Sequence, residues 1–228
     1  MSDDSFIREV EEELRSERLR NFWDRFGKFI IAGAVLVVLA VAGTRVWEWY
    51  DASQRAQAGD AFMEAVRLAE DDKADEAIAA LRTLEADATP VYAALARMRA
   101  AAELAKAGKG EDAVAAYDLV AADASVDENL RTIASLRAAL LLVDAGTVAD
   151  VEQRASRFSG PTAPFRGTAR EAMGLAYLKA DDLKKAYAQF DAIASDPQVS
   201  AGLRQRARIL LDVIASRGGP VRRTEETG

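Results

Sequence analysis

The sequence predicts an all-α chain: an N-terminal transmembrane helix followed by an α-solenoid of helix pairs with a C-terminal capping helix. Three observations predict it. One uncharged apolar run, Phe29 to Thr44, lies between Lys28 and Arg45. From about residue 55 onward Ala, Leu, Glu, Lys and Arg dominate, without β-branched alternation. Breaks between the helix-forming stretches are regular, and one residue pattern recurs across them.

Residues 1–28 read as a charged helix on the near side of the apolar run. Phe6, Ile7, Val10, Leu14 and Leu19 recur at near-helical spacing, with Glu11, Glu12, Glu13, Arg15, Glu17 and Arg18 between them. Two readings stand for it: a solvated lead into the membrane, or a docking handle for a partner.

Residues 29–47 read as the membrane anchor. At about 1.5 Å per residue, Phe29 to Trp47 spans roughly 28 Å, close to the ~30 Å hydrocarbon core of a bilayer. Phe29, Ile30, Ile31, Val35, Leu36, Val37, Val38, Leu39 and Val41 favour insertion by about 3 to 5 kcal/mol in sum. Phe22, Trp23 and Phe26 stand before the run, and Trp47, Trp49 and Tyr50 after it, as aromatic belts at two interfaces do. A cleaved signal peptide is the rival reading, because Ala40-Val41-Ala42 fits a small-x-small site. Against it, a long acid-rich stretch precedes the run, where signal peptides have short basic starts. Arg15, Arg18, Arg20, Arg25 and Lys28 precede the anchor, whereas Arg45 and Arg55 follow it. That bias places the N-terminus in the cytoplasm and the C-terminal part across the membrane.

Composition removes several function classes. The chain has neither Cys nor His, so disulfides, thiolate nucleophiles, imidazole bases and Cys/His metal sites are excluded. A formal charge of −7, most of it after Trp47, argues against nucleic acid as a partner.

Residues 48–217 read as one helical-repeat domain. Short turns are expected at 71–75, 107–110, 144–147 and 180–182, and longer breaks at 88–90, 124–127, 159–164 and 195–197. Short and long breaks alternate, which makes helix pairs. The second helix of each pair opens with Ala77, Ala113, Ala149 and Ala186, separated by 36, 36 and 37 residues. Four residues later stand Leu81, Tyr117, Gln153 and Phe190. A small residue lets two helices cross closely, and a large one a turn later fills the next gap. In the last pair, Gly174, Tyr177, Ala186, Phe190 and Pro197 resemble the tetratricopeptide pattern. The third pair is degenerate, with Arg137 at the small position and Gln153 at the large one, although Leu136, Leu140, Val148, Val151 and Phe158 keep an apolar face. A helix at about 201–216 carries Leu203, Ile209, Leu210, Val213 and Ile214 among Arg204, Arg206 and Arg208, and reads as the cap a stacked array needs. Residues 218–228 read as a disordered tail.

No constellation for catalysis stands out. Gly108-Lys109-Gly110 lacks the spacing of a phosphate-binding loop, and Asp71, Asp72 and Asp75 lack the Gly and distal Glu of an EF-hand. The expectation is a non-enzymatic chain with no cofactor, no metal and no small-molecule substrate. By likeness to the tetratricopeptide layout, Phe62, Val66, Met98, Glu171 and Leu175 are expected to line a concave peptide-binding groove.

The acidic helix from Phe6 to Arg15, the single anchor and the degenerate array together resemble the YfgM-type ancillary subunits of the Sec translocon. That resemblance implies a single-pass inner-membrane protein facing the periplasm, associated with the SecYEG channel and with periplasmic chaperones such as PpiD. Two other interaction roles suit the same architecture. One is a regulator that holds a cytoplasmic signalling protein through the N-terminal helix. The other is a scaffold for envelope or cell-division machinery.

Overall fold

The computed structural model describes the backbone of residues 3–221, with side chains from Arg25 onward except at Phe26, Gly27, Phe29, Ile30 and Ala34. The expectations for the side chains of residues 1–24, for Phe29 and Ile30, and for the tail beyond Val221 lie outside the described residues. The described residues form helices: α1 Asp3–Glu70, α2 Ala74–Asp87, α3 Pro90–Lys106, α4 Gly110–Ala122, α5 Glu128–Ala145, α6 Val148–Ala155 with a following 3₁₀ turn Ser156–Phe158, α7 Arg166–Lys179, α8 Leu183–Ala194 and α9 Ala201–Ser216. The chain divides into two compact units, Met1–Gln54 and Arg55–Gly228. Each of the eight predicted breaks takes in a gap between helices, overlapping a helix end by at most two residues. The all-helical array of the sequence reading is therefore the observed fold.

Within the second unit, neighbours in sequence pack as neighbours in space, α2 on α3, α3 on α4, α4 on α5 and so on to α8 on α9. The core follows as a row of adjoining clusters. Ala58 and Ala65 meet Leu81, Leu84, Ala96 and Ala100. Met98 and Ala101 meet Tyr117, Val120, Ala134 and Ala138. The last cluster gathers α5 to α9 around Phe190, Ile193 and Ile214. Each helix pair thus buries its apolar face against the next pair, the arrangement of a solenoid.

One turn recurs at the short breaks. Asp72, Gly108, Asp181 and Gly218 take φ values of 60°, 76°, 62° and 82°. The next amide N–H reaches back to the last helical turn in each: Lys73 to the Leu68 carbonyl, Lys109 to Leu104, Asp182 to Tyr177 and Gly219 to Ile214, all at 2.9 Å. This left-handed closure satisfies carbonyls that a helix end otherwise leaves unpaired. The last helix, α9, ends in the same closure as α1, α3 and α7.

The third pair departs from the pattern, and the departure is structural. Gly146 has φ −103° and donates to the Leu142 carbonyl. The exposed carbonyls at the end of α5 accept instead from Lys179 Nζ, at 3.0 Å for Val143 and in a second bond at Asp144. The helix α6 begins under a reciprocal Thr147–Asp150 capping box and runs only 8 residues.

That start corrects the repeat register. Ala77, Ala113 and Ala186 are each the fourth residue of their helices and fully buried. The fourth residue of α6 is Val151, also fully buried, whereas Ala149 is exposed. The position four residues on is taken by the buried Ala155, not by Gln153. Ala149 therefore packs nothing; a helix cap moved the small position by two residues.

Elsewhere the large residues of the pattern lie in the core. Leu81 and Phe190 are fully buried and Tyr117 nearly so. A Cβ built on Gly174 would lie 2.7 Å from Phe190 Cζ, so only glycine lets α7 and α8 approach with that ring between them. Tyr177 is buried and donates its phenol O–H to Glu152. Burial and the neighbouring Glu152 carboxylate push its pKa up to about 12.

Candidate functional site

The apolar segment is the first functional element. Ile31, Val35, Leu36, Val37, Val38, Leu39, Val41 and Trp47 are each more than half exposed in the first unit. Leaving a large apolar side chain in water forgoes about 1.5–3 kcal/mol relative to burying it. This N-terminal helix is long and apolar enough to cross a membrane, and none of its apolar window is buried against protein.

The second element is the surface of the repeat domain, where the five expected groove residues do not behave alike. Met98 is only 6% exposed and sits in the core beside Ala94, Tyr117 and Val120. It faces the next helix pair and is not available to line a groove. Phe62 and Leu175 are half-buried and pack against the clusters around Leu81 and Phe190. Val66 is half-buried. Glu171 accepts from Arg206 Nε at 2.9 Å and Nη2 at 3.3 Å, tying α7 to α9. An apolar or acidic residue on a helix gives the same sequence signal in a core, an ion pair or a groove; only packing separates them.

Two of the three arginines of α9 are similarly committed. Arg206 holds Glu171, and Arg204 donates to the Pro197 and Val199 carbonyls. Helix pairs are further joined by Arg154 on Asp118, at 3.0 and 2.6 Å, and by Arg97 on Glu85 at 2.8 Å. Arg166 grips Asp196 with two bonds of 2.6 and 3.0 Å, and that guanidinium holds the Asp196 carboxyl below the usual carboxylate range.

A cavity of about 470 Å³ opens where the third pair departs from the pattern. It lies between the C-terminal end of α4, the first turns of α5, the 3₁₀ turn and residues 163–165. Its walls include Arg131, Arg157, Phe158, Pro164 and Phe165, with Glu128 as the one acid. The Arg157 guanidinium lies 4.5 Å above the Phe158 ring, a cation–π stack. The Arg131 Nε–H is buried and has no hydrogen-bond partner among the described residues. Such an unmet buried donor costs about 1–3 kcal/mol. The sequence reading missed this cavity, although the long 159–164 break after a degenerate pair was its signal.

Comparison with known proteins bears on both elements. The pattern of the tetratricopeptide repeat-like domain family matches residues 20–216. The chain belongs to this family. The matched span takes in the apolar segment as well as the helix pairs, so the family's pattern treats the two together. The chain is also 31% identical, over 127 residues, to an Escherichia coli (strain K12) protein described as the ancillary SecYEG translocon subunit. That alignment covers 56% of this chain and 61% of the relative, so less than two thirds of the relative is matched. No solved structure matches the chain. A tetratricopeptide-like domain implies protein partners, and stacked helix pairs supply the extended surface for them.

Proposed function

We propose that this protein is a non-enzymatic, single-pass membrane scaffold that stands beside the Sec translocon and presents its repeat domain to proteins on the far side. The observation that carries the reading is the 31% identity to the ancillary SecYEG translocon subunit. It is supported by a family match that includes the apolar segment and by the unburied apolar side chains of that segment. The Lys and Arg bias around the anchor supports a cytoplasmic N-terminus and a periplasmic repeat domain in a bacterial inner membrane. The partners in this reading are the SecYEG channel at the anchor and a periplasmic chaperone such as PpiD, or an emerging polypeptide, at the repeat domain.

Affinity purification of the full chain from membranes in mild detergent tests it. Channel subunits are expected to co-purify with the native chain, and to be lost when residues 29–47 are replaced by an unrelated single-pass anchor. Equal recovery with the foreign anchor would remove the anchor's role in recognition, and no channel subunits in either sample would overturn the reading.

A further inference from the structure

The cavity at the third helix pair brings together two guanidiniums that no carboxylate meets. Arg97, Arg99, Arg154, Arg166, Arg206 and Arg217 each lie against a carboxylate. Arg131 and Arg157, which share the cavity wall, have no carboxylate partner among the described residues. Against the single Glu128 they leave one net positive charge at the cavity of an acidic protein.

The two guanidiniums are held differently, and both leave donors unused. Arg131 lines the wall with no hydrogen bond or ion pair from its guanidinium among the described residues, its Nε–H buried and its terminal nitrogens left to receive a ligand. Arg157 is fixed by its face on Phe158, which leaves the edge of its planar fork open to a carboxylate. Phe158, Pro164 and Phe165 form an apolar wall beside them. The volume, about 470 Å³, falls in the range of ligand pockets and holds a few side chains rather than a whole helix. After α6 ends at Ala155, the 3₁₀ turn Ser156–Phe158 brings Arg157 and Phe158 into the cavity wall.

We propose that this cavity takes a short peptide segment of a partner protein, in which one carboxylate stands beside an aromatic or branched aliphatic side chain. Arg131 and Arg157 hold the carboxylate, and the Phe158–Phe165 wall covers the apolar side chain. Glu128 disfavours segments with several adjacent acids. The proposal rests on the reading of the domain as a protein-interaction module, and it supplies the chemistry of what that module recognises.

The test uses the full chain in lipid nanodiscs and random heptapeptides displayed on phage. Selected peptides are expected to converge on one Asp or Glu within two positions of Phe, Tyr, Leu or Ile. As synthetic peptides they are expected to bind the Arg131→Glu/Arg157→Glu variant at least about tenfold more weakly. The milder Arg131→Gln/Arg157→Gln variant, with an unchanged helical circular dichroism spectrum, should show the same direction of loss. Changing the peptide's Asp to Asn should weaken binding to the native chain but not further to the double variant. Arg82→Glu/Arg208→Glu, at two exposed arginines away from the cavity, should bind as the native chain does. Selection without convergence, convergence on peptides lacking a carboxylate, or equal binding by the charge-reversed chain would overturn the proposal. So would a change in oligomeric state on charge reversal, which would assign the cavity to a second copy of this chain. Peptide selection that succeeds while channel subunits fail to co-purify leaves the cavity standing and removes the translocon. The converse result leaves the translocon and removes the cavity.

Discussion

At Gly174 one missing Cβ decides how two helices meet. The Phe190 ring fills the space a side chain would need, with its nearest atom 2.7 Å from the ideal Cβ position. Gly174→Ala is therefore expected to destabilise the domain by about 1–3 kcal/mol through overpacking, read as a lower urea midpoint at unchanged slope. A second residue-scale expectation concerns acid. Asp196 is held below the ordinary carboxylate range first by its hydrogen bonds to Arg166. A carboxyl with a lowered native pKa contributes stability above the unfolded value, and that contribution is lost as pH falls through the native value. The loss therefore begins as pH drops below about 4, the unfolded carboxylate value. Asp196→Asn should lower the urea midpoint at pH 7 and make its fall below pH 4 shallower than in the native chain.

At the scale of elements, turns do more than propensity to place the helices. The left-handed closure puts Gly108 at φ 76°, whereas Gly110 opens α4 with nothing within 4 Å of its ideal Cβ. Two substitutions only two residues apart should then have opposite signs. Gly108→Ala should cost about 1 kcal/mol, and Gly110→Ala should gain up to about 1 kcal/mol, both measured by urea unfolding. The same local chemistry explains what was legible in the sequence. Asp, Gly and Pro at the breaks carry their turn geometry with them, so all eight breaks and the span of α9 could be read. Ala149 was misread because an alanine near a helix start is equally at home exposed or buried. The Thr147–Asp150 cap, readable as Thr-x-x-Asp, fixes where α6 begins and brings Val151 inward instead. Met98 was misread for another reason: whether an apolar helix residue faces a groove or the next pair depends on packing many residues away. The cavity escaped notice because its walls come from four separate stretches, the end of α4, the start of α5, the 3₁₀ turn and residues 163–165, which no periodicity brings together.

At the scale of the molecule, two features with unlike surfaces share one chain. The apolar segment has no protein cover in its own unit, while the repeat domain buries its apolar faces pair against pair and leaves a charged surface. The family pattern spans both, from residue 20 to residue 216. The proposed division of labour assigns the segment to a membrane channel and the domain to proteins beyond it. Photo-crosslinking in intact membranes tests that division most directly, with probes at Val37 in the exposed apolar segment and at the exposed Asn129 beside the cavity. Channel subunits at Val37, with periplasmic chaperones or secretory chains at Asn129, are the predicted result. Cytoplasmic proteins at Asn129, or no secretion component at either probe, would contradict it.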